Sequence, residues 1–217
     1  MVSTKLLLII VMLAALAWPA TDLLPAQRER ASSADDLVRQ LGVFPASLSA
    51  STRSDGSNDP IEQRRHDLYA RLRALGQEAL PALARGLADS DVQIRRNAAL
   101  FLNVAASSWS SLTGPSLDIH SCLPALIAAL HDVDPRVRAL AAQAIGEIGP
   151  TAASAVPDLV ALLGNPDEGS RNSACIGLAG LGPAAREALP ALRQALSDQS
   201  PDVRRFAQRA IDKIDVR

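Results

Sequence analysis

Aromatic side chains make up only 3% of this 217-residue chain, which excludes a core built on stacked rings and leaves Leu, Ile, Val and Ala to fill it. Lysine is nearly absent: of 22 cationic side chains only Lys5 and Lys213 are lysine. The chain also lacks an excess of charge of either sign. Its net charge is −1, and from Ile61 onward 17 acidic and 17 basic residues balance, so no overall field draws it toward nucleic acid or anionic lipid. A phosphate loop and a serine elbow are both missing, so no catalytic set and no cofactor is read. What the chain does have is length and apolar content, 48% of residues, enough for one sizeable domain.

One apolar run stands apart. After MVSTK, residues Leu6 to Trp18 form an unbroken stretch of 13, short of the roughly 20 that a helix needs to span a bilayer. A basic start, an apolar centre and small residues before Pro19 are the order of a secretory signal, and Ala15-Leu16-Ala17 offers a cleavage tripeptide. Residues 1–25 are therefore expected to be a signal peptide or an N-terminal membrane anchor, with cleavage left open, which places the protein in an exported compartment or on the membrane. Residues 26–60 are rich in Ser and Asp and poor in large apolar side chains, and read as a flexible linker. Within them Leu37 to Phe44 has the spacing of a transient helix.

From residue 61 to 217 the sequence repeats. Aligning on Pro81, Pro124, Pro157 and Pro190 gives spacings of 43, 33 and 33 residues, a period that marks a solenoid. Two residues after each proline stands Leu83, Leu126, Leu159 or Leu192, and seventeen after it an alanine, Ala98, Ala141, Ala174 or Ala207. With their neighbours these make two apolar stripes at steps of three and four, one on each of two helices. Between the stripes lies a polar turn, with Asp89, Asp132, Asn165 and Asp198 at position +8 and Arg95, Arg138, Arg171 and Arg204 at +14. Such pairs can cap the second helix or bond from unit to unit. Gly149-Pro150 and Gly182-Pro183 stop the second helices. Neither helix can bury its stripe alone, so neighbouring units must stack. Ile61 to Gly76, with Leu68, Leu72 and Leu75 at helical spacing, reads as one helix covering the N-terminal end.

The phrase LPAL...L.D.D..VR..A...I..IG resembles a HEAT repeat of the bacterial type grouped with phycobilin-lyase repeats, over roughly Gln77 to Ile214. The resemblance implies an all-α, α-α solenoid of about four helix pairs, second helices lining the concave side, and a binding role. The third unit departs from the pattern: Glu168 and Ser170 replace apolar or proline positions, and Gly177 and Gly180 enter its second helix. Because a helical glycine costs ~1 kcal/mol relative to alanine, this unit is expected to be the weakest.

Candidate contacts follow. Ten extra residues between units one and two carry Trp109, the sole tryptophan beyond the leader; it either plugs the neighbouring helices or contacts a partner. On the second helices, positions +15 and +19 face away from the apolar stripe and include Arg96, Gln143, Asn172, Arg205 and Arg209. This mixed strip suits a protein or peptide better than a phosphate backbone; a plain solvated face is the alternative. His131-Asp132-Val133-Asp134 imitates a metal cluster, but Asp89 and Asp91 repeat the aspartates without histidine, so no metal is expected. Hydroxylases built from similar repeats use His-Glu pairs, which this chain lacks. Cys122 and Cys175 fall at different repeat positions and read as buried thiols, with pairing left open. The function expected is a non-catalytic scaffold for an unidentified protein or peptide, meeting membrane only through its N-terminal segment. A bilin lyase or isomerase accessory and a nucleic-acid-binding helical repeat are the alternatives.

Overall fold

A computed structural model describes residues 34–44, 60–107 and 117–216; the leader and Trp109 lie outside them. Among the described residues the architecture is helical throughout. Helix α1 covers residues 34–40 and runs into a 3-10 turn at Leu41–Val43. It is followed by α2 (Pro60–Leu75), α3 (Leu80–Gly86), α4 (Val92–Ala106), α5 (Leu123–Ala129) and α6 (Pro135–Ile148). The chain continues through α7 (Val156–Leu162), α8 (Glu168–Leu181), α9 (Leu189–Ala195) and α10 (Pro201–Ile214). The pairs α3/α4, α5/α6, α7/α8 and α9/α10 are the four units expected from the repeat, and each second helix packs on the next.

Local chemistry sets the boundaries. Each short first helix carries its proline in the first turn, where a missing N–H costs nothing. Asp91, Asp134, Asp167 and Ser200 cap the second helices; Asp134 Oδ1 accepts from the backbone N–H of Arg136 and of Val137 at 3.1 Å each. Gly149 and Gly182 end α6 and α8 at φ of 78° and 56°, a region where a Cβ would be strained. The seam between units holds Leu83, Leu126, Leu159 and Leu192 and Ala98, Ala141, Ala174 and Ala207, all at 0% exposure. An alanine at every such position lets successive second helices approach closely.

The polar turns join the units. Arg95 places Nε 2.6 Å from Asp132 Oδ2 and Nη2 3.2 Å from Oδ1, while its Nη1 donates to the carbonyl of Asp89 in its own turn. Arg171 grips Asp198 in the same way at 2.8 and 2.9 Å. Each of these aspartates also accepts from the backbone N–H two residues ahead. One side chain thus shapes its own turn and receives the previous unit's guanidinium.

The middle junction differs. Asn165 replaces aspartate, so Arg138 donates to the Ser170 hydroxyl at 3.0 Å and reaches the Asn165 amide oxygen only at 3.4 Å. Backbone packing takes the place of the ion pair. Among the described elements α6 and α8 make the most extensive helix contact. A Cβ built on Gly177 would stand 2.6 Å from the Ala142 carbonyl oxygen. The glycines expected to weaken the third unit are thus the ones that admit its neighbour.

A second difference lies at the N-terminal end. Part of the stretch read as linker, residues 34–44, is packed: Ala34, Leu37, Val38, Leu41 and Phe44 are buried. The Asn97 amide, fully buried in α4, donates to the carbonyls of Leu41 and Phe44 at 3.0 Å each. Asp35 meets Arg85 of α3 at 2.6 Å. Tyr69 of α2 lies edge-on to Phe101 of α4, ring centroids 5.3 Å apart. With α1 against α3 and α2 beside α4, the end of the stack is covered by a divergent helix pair, where the sequence suggested one helix.

Candidate partner-binding face

The face of interest is built by α4, α6, α8 and α10. Its rows at positions +15, +19 and +23 are Arg96, Leu100 and Val104; Ala139, Gln143 and Glu147; Asn172, Ile176 and Gly180; Arg205, Arg209 and Lys213. Its character changes along the stack. Over α4, Leu100 is buried and Arg96 is held by Asp134 of the next unit, with Nε 3.0 Å from Oδ1. Gln143 accepts from the Asn103 amide and donates to the Ser173 hydroxyl, both at 3.2 Å, and so ties α4, α6 and α8 together. Arg96 and Gln143 therefore spend their hydrogen-bonding groups on unit junctions.

Toward α10 the side chains are freer. Asn172 is half-buried, and its Oδ1 is the one buried side-chain polar atom among the described residues without a hydrogen-bond partner. Arg205 and Arg209 are exposed and lie over the Phe206 ring at 5.1 and 5.7 Å from its centroid. Arg205 also meets Asp202 at 2.7 Å. Trp109 lies outside the described residues, but its insertion is anchored: the Leu117 N–H donates to the Ala105 carbonyl at 2.9 Å, at the C-terminal end of α4.

Electrostatics follow the ladder. The Arg96 guanidinium holds the Asp134 carboxyl below its ordinary range, and Arg171 does the same to Asp198. Cys122 and Cys175 are free and buried, and burial pushes their thiols up to about 11 and about 12. His131 Nε2 sits 2.7 Å from Asp158 Oδ1 on the side of the first helices, linking α5 to α7. Among the described residues no group of three His, Cys, Asp or Glu side chains is placed to hold a metal.

The family description "HEAT repeats" matches residues 123–212. Over those residues the chain is similar to HEAT repeats. No curated protein sequence matches the chain. Solved structures share the architecture of the helix stack. A designed armadillo repeat protein in complex with the peptide (KR)4 has a TM-score of 0.56 at 20% identity, covering 85% of this chain and 82% of that one. The complex of CpcE and CpcF of phycocyanin lyase from Nostoc sp. PCC7120 has a TM-score of 0.54 at 24% identity, covering 79% and 68%. An engineered protein has a TM-score of 0.56 at 20% identity, covering 87% and 91%. At these identities the likeness concerns the HEAT/armadillo fold.

Two features of the helix stack that bear on this face are not legible in the repeat. One is the Asn103–Gln143–Ser173 chain, whose members occupy different repeat positions and carry no shared signal. The other is the close meeting of Gly146, Gly177 and Gly180, which a search for small residues in adjacent second helices would have found.

Proposed function

We propose that this chain is a non-catalytic scaffold that holds a protein or peptide segment on the face of its second helices. One observation carries the reading. The recurring charged groups, Arg95 with Asp132 and Arg171 with Asp198, are bound to each other inside the junctions, while Arg205, Arg209 and Lys213 of α10 are exposed. A rigid repeating frame whose exposed cations gather on its last second helix, at Arg205, Arg209 and Lys213, suits recognition of an extended partner. Asn172, Arg205 and Arg209 are its available contacts, and Trp109 belongs to the same proposal as a contact from the insertion. The balance of 17 acidic and 17 basic residues from Ile61 onward disfavours nucleic acid. Residues 1–25 would deliver the scaffold to an exported compartment or hold it at a membrane.

Selection of a random peptide library on the full chain, followed by hydrogen exchange with a selected peptide, tests the reading. Protection is expected on α6, α8 and α10. Protection confined to the first helices α5, α7 and α9 would overturn it.

A further inference from the structure

The second helices differ in charge at positions +15, +19 and +23. In α10 all three are cationic and exposed: Arg205, Arg209 and Lys213, spaced i, i+4, i+8 along one line of the helix. The corresponding row of α6 holds one charge, Glu147, and that of α8 holds none. Like charges at i, i+4 repel. Asp202 answers Arg205 across an exposed contact, but the charge of Asp212 is turned to Gln208, from which its Oδ1 accepts at 2.8 Å. No carboxylate among the described residues lies within ion-pair distance of Arg209 or Lys213. The helix dipole favours Lys213 in the last turn, yet it disfavours Arg205 near the start. The row is thus a line of charge that the fold itself leaves largely uncompensated.

Its geometry adds a second constraint. Arg205 and Arg209 lie over the Phe206 ring, which gathers the two guanidinium groups on one side of α10, where a guanidinium can take a carboxylate in bidentate fashion. Along a helix, residues four apart are separated by about 6 Å. In an extended strand, alternate residues are separated by about 6.6 Å. A strand lying along α10 therefore brings every second side chain to one cation.

We infer that the scaffold's partner contains an extended acidic segment, with a carboxylate at every second residue, bound along Arg205, Arg209 and Lys213. The inference rests on the scaffold reading and names the chemistry of its ligand.

Fluorescence anisotropy on the full chain tests it with four labelled peptides of equal length: alternating Glu-Ser, the same composition with its Glu contiguous, Gln-Ser and Lys-Ser. The alternating Glu peptide is expected to bind at least tenfold more tightly than the Gln peptide and several-fold more tightly than the contiguous one. Arg209→Gln, checked for an unchanged melting temperature, should lose at least fivefold. Arg193→Gln, an exposed charge on α9, should lose nothing. Equal losses in both variants would reduce the effect to general charge and overturn the inference. Equal binding of the contiguous peptide would overturn the register. Preference for the Lys or Gln peptide would overturn the acidic ligand and leave the scaffold reading standing. Binding of none of the four would overturn the inference, with the peptide-library selection then judging the scaffold reading separately.

Discussion

Gly180 of α8 lies against Gly146 of α6 so closely that a Cβ built on Gly180 would stand 2.3 Å from the Gly146 carbonyl oxygen. The two helices meet backbone to backbone, and that contact sets how the second and third units are joined. Alanine is the better helix former, but here it has nowhere to go. Gly180→Ala is expected to lower stability by about 2 kcal/mol, within the range for overpacking. Urea unfolding should show the loss. Gly164→Ala, whose Cβ would meet only the Ala161 carbonyl oxygen at an ordinary 3.5 Å, should leave stability nearly unchanged.

The arginine ladder can be tested in both directions. Asn165→Asp would give Arg138 the carboxylate that Arg95 and Arg171 already have, and should raise stability by up to about 1 kcal/mol. Arg171→Ala would leave Asp198 without its guanidinium at a site where the pair is 7% and 13% exposed; a loss of about 3 kcal/mol is expected. Thermal melts of the two variants should move in opposite directions.

Acid should unfasten the same junctions. Asp134 and Asp198 are held below the ordinary carboxylate value by Arg96 and Arg171. A depressed folded pKa means that the unfolded chain takes up protons first as pH falls. The stability these groups contribute is complete above the unfolded value of about 4 and is lost as pH drops toward and through the folded values. Melting temperature should hold level from pH 7 to 5 and fall steeply below 4, and Asp198→Asn should flatten part of that fall.

The thiols supply a probe of opening. With values near 11 and 12, Cys122 and Cys175 are protonated at pH 8, and both are buried. A disulfide reagent at pH 8 should label neither in the folded protein and both in denaturant. Rapid labelling of Cys175 in Gly180→Ala alone would place the disruption at the third unit.

The sequence by itself determined the period, the pairing of a short helix with a long one and the residues of the seam. The 33-residue spacing recurs in prolines, leucines and alanines whose local roles are the same in every unit, and repetition makes a weak signal legible. The aspartate and arginine positions were visible for the same reason. Only the tertiary structure decided which unit each arginine grips, because the acceptor lies 37 or 27 residues away in sequence. It also turned Gly177 and Gly180 from expected defects into contacts, since propensity concerns one helix and close approach concerns two. Residues 34–44 read as linker because their few apolar side chains are insufficient alone; they fold where α3 and α4 supply the other half of the core. The row Arg205, Arg209 and Lys213 was half visible. Its residues could be named from the repeat, but their exposure on α10 and the absence, among the described residues, of a carboxylate at Arg209 and Lys213 depend on what the fold places around them.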